Sequence, residues 1–465
     1  MELLRFSMFF HILVLSPFSI ADGGSIGVNY GRIADNLPMA SKVVQLMKLH
    51  GLDRVKIYDS DPEVLKALSG SGIRVTVNLP NELLSLVARR QSFAFSWVQK
   101  NVAAFHPSTA IEAIAVGNEV FADSKNTTGF LIPAMRNIQK ALKKYKLEGD
   151  VKVSSPIALS ALQNSYPSSA GSFLPELIEP FIKPMLEFLR QTRSPLMINV
   201  YPFFAYRSNA GVISLDYALF RPNPGNIDAG SGLNYLSLFD AQIDAVFAAI
   251  SALKYDDVPI TVSETGWPSK GDSNEVGASV ENAAAYNGNL VRRVLLGGGT
   301  PLRPRLNLTV YLFALFNENK KFGPTSERNF GLFNPDESRV YDIPLTVEGL
   351  KGYENDSPPP MKGERRVSMP NGQTWCVVKE GVGKHQLQAG LDYACGEGAA
   401  DCHPIQPGSN CFDPNTLEAH ASFAFNSYYQ KNGRNSGACY FGGAGNIVSQ
   451  QPKYGNEKCE LTPGN

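Results

Sequence analysis

No cysteine occurs in the first 375 residues, so the longer part of the chain must be stable without covalent staples. Charge of one sign is also missing: 43 basic and 43 acidic residues cancel, which leaves no basic field for nucleic acid or anionic lipid. Beyond the extreme N-terminus no run of apolar residues reaches the length of a membrane helix. Histidine is scarce. His50, His106, His385, His403 and His420 follow the N-terminal segment, and none falls at the end of a β-rich run in the long first part. A Ser-His-Asp hydrolase therefore finds little support. There is no H-E-x-x-H and no C-x-x-C, so neither catalytic nor structural zinc is indicated. Gly27-Val-Asn-Tyr-Gly31 lacks the G-x-G-x-x-G of a dinucleotide site. The expectation is a protein without cofactor or metal.

What is present begins with a secretory signal. Met1 to Ala21 carries Arg5, the apolar run Phe6–Leu15 and the small-residue site Ser19-Ile20-Ala21, with cleavage expected after Ala21. The C-terminus, Glu460 to Asn465, is too short and polar for a GPI signal. A soluble, extracellular or wall-bound product without a membrane anchor follows, and a monomer is expected. Asn126, Asn307 and Asn355 open glycosylation sequons. Six cysteines in a short final segment (Cys376, Cys395, Cys402, Cys411, Cys439 and Cys459) read as a disulfide framework in an oxidising compartment. Spacing does not choose among the fifteen pairings. The domains are thus a signal (1–21), a long domain (22–354), a linker (355–372) with the run Pro358–Pro360, and a disulfide-rich domain (373–465).

Within the long domain eight β-rich runs alternate with amphipathic helical patterns. The runs are Ile26–Gly31, Arg54–Asp59, Arg74–Pro80, Ile111–Val120, Val151–Leu159, Leu196–Phe204, Ile260–Trp267 and Leu308–Glu318. Alternation of this kind predicts a parallel sheet, and its length suits an α/β (β/α)8 TIM barrel rather than a doubly wound open sheet. Two runs end in glutamate: Ala115-Val-Gly-Asn-Glu-Val120 and Val262-Ser-Glu-Thr-Gly-Trp-Pro-Ser269. Strands four and seven lie on opposite sides of an eight-stranded ring, so Glu119 and Glu264 face each other across its mouth. A lone glutamate there is more often a cap or an ion-pair partner. Two opposed carboxylates in different environments are the working parts of a glycosidase.

At these residues the chain closely resembles the plant endo-1,3-β-glucanases of glycoside hydrolase family 17. The blocks Gly27–Gly31, Val55-Lys-Ile-Tyr-Asp59, Ala115–Val120, Asn199-Val-Tyr-Pro-Phe203, Ile260–Ser269, Phe313–Lys321 and Asn329-Phe-Gly-Leu-Phe333 carry the likeness, in order, over almost the whole long domain. The resemblance implies Glu119 as acid/base and Glu264 as nucleophile of a retaining hydrolase, acting on internal bonds of callose- or laminarin-like 1,3-β-glucan. Asn118 is placed to bond the sugar 2-OH. Tyr30, Tyr58, Tyr201, Trp267, Glu318, Lys321 and Glu327 match residues of the family's cleft. For the three tyrosines the alternative is a packed aromatic with a satisfied hydroxyl, with function favoured for Tyr201 beside the nucleophile; for Glu318, Lys321 and Glu327 a supporting ion-pair network is an equally good account.

The cysteine-rich segment resembles carbohydrate-binding module family 43, a binder of 1,3-β-glucan. The pairing this implies is Cys376–Cys439, Cys395–Cys459 and Cys402–Cys411. Tyr393, Tyr428 and Tyr429 are candidate sugar platforms, with core packing as the alternative. Two rival functions remain beside the hydrolase: a barrel that only holds wall glucan, and a transglycosylase that resolves the covalent intermediate with a sugar hydroxyl.

Overall fold

Eight parallel strands closing on themselves bring the C-terminal ends of the strands together at one mouth. The computed structural model describes residues 23–356 and most of 374–448, with Pro452 and Cys459. The expected signal segment and nearly all of the expected linker lie outside the described residues.

The strands are β1 (Ser25–Tyr30), β2 (Arg54–Ile57), β3 (Arg74–Leu79), β4 (Ala110–Val116), β5 in two pieces (Lys152–Ser154 and Pro156–Ala158), β6 (Leu196–Asn199), β7 (Ile260–Thr265) and β8 (Thr309–Leu312). Every neighbouring pair is parallel. The ring closes through β5. Its first piece pairs with β4 and its second with β6, because the ladder breaks at Ser155 before Pro156. All eight strand expectations are met.

Helices Ala40–Leu49, Leu131–Lys144, Lys183–Thr192, Leu238–Ala252 and Val280–Leu295 fall between successive strands, as the alternation predicts. Ser237 and Ser279 cap the last two, each side chain accepting from a backbone N–H three residues on. The main core lies between strands and helices, where alternate strand residues such as Val55, Ile57, Val75 and Val77 are fully buried. The inside of the ring is a smaller packing layer of Ala113, Ala115 and Met197. Below it, Tyr311 Oη donates to Glu112 Oε1 (2.8 Å), which also pairs with Arg54. Small side chains at its centre leave room for long polar ones to reach across.

In the C-terminal segment, strands Trp375–Val378 and Gly445–Val448 pair antiparallel beside helices Lys384–Cys395 and Leu417–Lys431. The disulfides are Cys376–Cys439, Cys395–Cys402 and Cys411–Cys459. The first is as the resemblance implied; the other two correct it. Cys395 ends its helix, and the returning chain is tied back by Ala400 N–H to Ala394 O (2.8 Å), which brings Cys402 to a Cα separation of 5.6 Å. Cys411 is left for Cys459. Asn126 and Asn307 are exposed, and Asn355 lies in the last turn of helix Val347–Asp356.

Candidate active site

Two local devices bring the carboxylates into the mouth. After β4 the chain turns through Gly117 (φ +69°) and Glu119 (φ +50°). A Cβ at Gly117 would meet Val120 Cγ2 at 2.5 Å, so the turn needs glycine for space as well as for φ. Glutamate held in the left-handed region is strained, and such strain gathers at functional sites. The Glu119 amide is tied to Pro156 O (2.9 Å), at the break in β5.

The second device is a bulge in β7. Ile260 and Val262 pack in the core shared with the helices. Strict alternation would send Glu264 the same way. Instead the register slips at Ser263, and Glu264 pairs with Asn199 rather than Val200. The bulge turns the carboxylate inward.

Glu264 is buried and accepts hydrogen bonds from Lys56 Nζ (2.8 Å) and Tyr201 Oη (2.8 Å). Burial alone would raise its pKa, but the Lys56 ammonium and the Tyr58 and Tyr201 hydroxyls outweigh it and hold the carboxyl below its ordinary value. Burial and the Glu264 charge push both tyrosines well up, so they stay protonated donors. Glu119 moves the opposite way. Burial and the nearby Glu264 charge raise its pKa, against one bond from Asn199 Nδ2 to its Oε1 (2.8 Å). Ser263 Oγ donates to Asn199 Oδ1 (2.7 Å), which orients that amide. One carboxyl is thus disposed to keep its proton and the other to lose it.

A cleft of about 550 Å3 contains both, with Asn118, Tyr58, Tyr201, Glu318, Lys321 and Glu327 in its wall. Asn118 Oδ1 is buried there without a hydrogen-bond partner among the described residues. Glu318 accepts from Ile33 N–H (2.8 Å) and packs against Gly31, where a Cβ would fall 2.3 Å from its Oε2. Burial raises its pKa. Lys321 pairs with Glu327 (3.1 Å) and lies 4.4 Å from the Phe313 ring centroid. Tyr201, Phe204, Phe313 and Phe330 form the aromatic part of the wall.

Two expected cleft residues lie elsewhere. Trp267 is fully buried, packed on Phe203, Tyr206 and Tyr286, with its indole N–H on Gly277 O (2.8 Å). Tyr30 is buried against Phe316, since it ends β1 on the core side. Sequence reasoning passed over Lys56 and Asn199 as individuals. Each sits inside a matched block, and the signal was a polar residue at the inward position of a buried strand.

In the small domain Tyr393 is 45% exposed and meets Tyr428 edge-on at 5.7 Å. Tyr429 is 2% exposed and bonds Thr374 Oγ1 (2.8 Å), which makes it a core residue rather than a platform.

Residues 26–345 match glycosyl hydrolases family 17, and residues 374–446 match the X8 domain. Glucan endo-1,3-beta-glucosidase 13 of Arabidopsis thaliana is 42% identical over 98% of this chain and 88% of its own. Glucan endo-1,3-beta-D-glucosidase of Olea europaea is 42% identical over 96% of each. Among solved structures, CJP38, a β-1,3-glucanase and allergen of Cryptomeria japonica pollen, is 43% identical. It aligns with a TM-score of 0.67 over 70% of this chain and 99% of that one.

Proposed function

The chain belongs to glycosyl hydrolase family 17 and is a glucan endo-1,3-β-glucosidase, and we propose that it is a secreted enzyme working by double displacement between Glu264 and Glu119. The carrying observation is the contrast between two carboxylates in one cleft: Glu264 is bound by Lys56 Nζ and Tyr201 Oη, whereas Glu119 has a single amide bond from Asn199. The ionised Glu264 attacks the anomeric carbon while Glu119 gives its proton to the departing glycosidic oxygen. The glucosyl–oxygen bond breaks and a glucosyl ester forms on Glu264. Glu119, now a carboxylate, takes a proton from water, which displaces the ester and restores both groups. Two inversions leave the β configuration. Lys56, Tyr58 and Tyr201 hold the nucleophile ionised and oriented, and the free Asn118 Oδ1 accepts from the sugar 2-OH.

In this reading the segment 1–21 is a signal removed on export, and the disulfides form in the compartment it leads to. The C-terminal domain holds insoluble 1,3-β-glucan through the Tyr393–Tyr428 face. The enzyme acts as a monomer.

The test uses Glu119→Gln on two substrates. Turnover of 1,3-β-glucan is expected to fall by about 10²–10⁴-fold. An aryl glucoside with an activated leaving group, which needs little proton donation, should keep much of its rate of glucosyl–enzyme formation. Equal losses on both would remove Glu119 from the acid role. Proton NMR of the first products should show the β anomer, and an α product would rule out double displacement. The same product analysis separates hydrolysis from transfer to a sugar hydroxyl.

A further inference from the structure

The charges of this chain cancel in number but not in place. Residues 83–111 and 130–147 contain no acidic side chain, and helices from the two stretches pack side by side. Helices Leu84–Arg89 and Gln91–Val98 lie against Leu131–Lys144. Asn137 Nδ2 donates to Val87 O (2.9 Å) and Ala88 O (3.0 Å), and Gln91 Nε2 donates to Asn137 O (2.9 Å). These bonds hold the turn Arg89-Arg90 beside the middle of the longer helix.

On that helix Arg136, Lys140 and Lys143 stand at i, i+4 and i+7, which makes one stripe, with Lys144 next to it. These four cations, with Arg89 and Arg90, are all exposed. None of the six pairs with a carboxylate among the described residues. Glu82, Glu112 and Asp150, at the borders of the two stretches, pair instead with Lys125, Arg54 and His106. The helix macrodipole favours Lys143 and Lys144 in the last turn and leaves the other four without a local reason. Arg89 Cζ lies 5.0 Å from the Phe130 ring centroid and Lys144 Nζ 4.2 Å from that of Phe95, so the basic ridge runs the length of the helix, about 20 Å. Like charges gathered this way repel one another, a cost that an anionic ligand relieves.

The surroundings limit what that ligand is. No large apolar side chain is exposed between residues 50 and 165, so nothing on the ridge enters a bilayer or stacks on a nucleobase. The stripe repeats its charge every 5–6 Å or so, about the rise of three or four helical residues. A straight polymer with one carboxylate on each sugar ring presents charge in the same regular way. We propose that this ridge binds a linear acidic polysaccharide, a polyuronate, and so holds the enzyme in an anionic matrix while the cleft stays free. None of the six cations lines the catalytic cleft. The choice of a polysaccharide over nucleic acid also rests on the export proposed above.

The experiment measures binding of the full-length chain to immobilised polygalacturonate as NaCl rises from about 20 to about 300 mM, a range over which exposed charges become screened. The test variant is Arg136→Gln/Lys140→Gln/Lys143→Gln. The control, Lys42→Gln/Lys48→Gln/Lys66→Gln, removes the same charge from exposed positions on other helices. The test variant is expected to bind at least about tenfold more weakly at low salt and the control less than about twofold. In both, kcat/KM on a soluble 1,3-β-linked oligosaccharide should stay within about twofold of the unmodified chain, which also reports an intact fold. Equal loss in the two variants, or no binding by the unmodified chain at low salt, overturns the ridge as a site. Tighter binding to phosphatidylserine vesicles or to single-stranded DNA than to polygalacturonate overturns the choice of partner. A chain that binds polygalacturonate yet cleaves no soluble 1,3-β-glucan fails the glucanase reading and leaves the ridge standing.

Discussion

In the double displacement proposed above, Lys56 is the residue on which the division of labour between the two acids depends. It is fully buried, and its ammonium is the charge that offsets the burial of Glu264. The pH profile of the enzyme follows from the two directions. The proposed mechanism needs Glu264 ionised and Glu119 protonated, so activity is expected to rise as Glu264 loses its proton and fall as Glu119 loses its own. A lowered nucleophile and a raised acid widen the interval between the two limbs on the mildly acidic side. Replacing Lys56 with Met removes the cation that favours the charged form of Glu264. The acid limb of the kcat/KM profile should then move to higher pH and the bell should narrow. A profile unchanged in shape, with only its height reduced, would show that Lys56 acts through packing alone.

At the scale of elements, β7 carries the site through its irregularity. Ser263 is the extra residue that reverses the facing of Glu264, and Gly266 and Trp267 fix where the strand goes next. A Cβ at Gly266 would stand 2.2 Å from the Phe313 carbonyl oxygen, a backbone atom with no freedom to retreat. Gly266→Ala is expected to displace the strand end and reduce kcat by at least about tenfold, since small misplacements of reacting groups cost that much. Trp267 acts beneath the site. Trp267→Phe loses the bond to Gly277 O, which keeps only the Asn282 side-chain amide (3.0 Å), a cost of about 0.5–1.5 kcal/mol. A lower thermal midpoint with KM little changed is the expected result. A KM effect without loss of stability would return Trp267 to the cleft wall.

For the whole molecule the expectation is two separable units. Residues 22–354 should hydrolyse soluble glucan at close to the full-length rate, and residues 373–465 should bind insoluble 1,3-β-glucan without cleaving it. Deleting the small domain should therefore slow attack on insoluble polymer more than on soluble, through loss of local concentration. If it abolished cleavage of short soluble oligosaccharides, the small domain would have to form part of the cleft. Within that domain the disulfides are unequal. Cys376–Cys439 spans 63 residues and Cys395–Cys402 spans 7. On chain-entropy grounds the first contributes about 4 kcal/mol and the second about 2. Replacing each pair with serine should rank their thermal midpoints in that order, and a non-reducing digest should yield a Cys395–Cys402 peptide pair.

The barrel was legible in the sequence because its signal is local: eight short β-rich runs and the helical patterns between them appear as periodicities, independent of what packs on them. Glu119 and Glu264 were legible because matched blocks at strand ends gave them a setting. Proximity in the chain was also enough to suspect a disulfide domain. Tertiary structure decided what depends on partners distant in sequence. The inward turn of Glu264 comes from a register slip against β6 and β8 that no alternation rule foretells. The salt bridge of Lys56 to Glu264 joins residues 208 apart. Trp267, Tyr30 and Tyr429 carried residue types suited to a sugar platform, and their burial is set by neighbours from other elements. The pairing of Cys395 with Cys402 rather than Cys459 came from where a helix ends and the chain returns. Periodicity is a property of consecutive residues, whereas facing, burial and pairing belong to the packed ring and its loops.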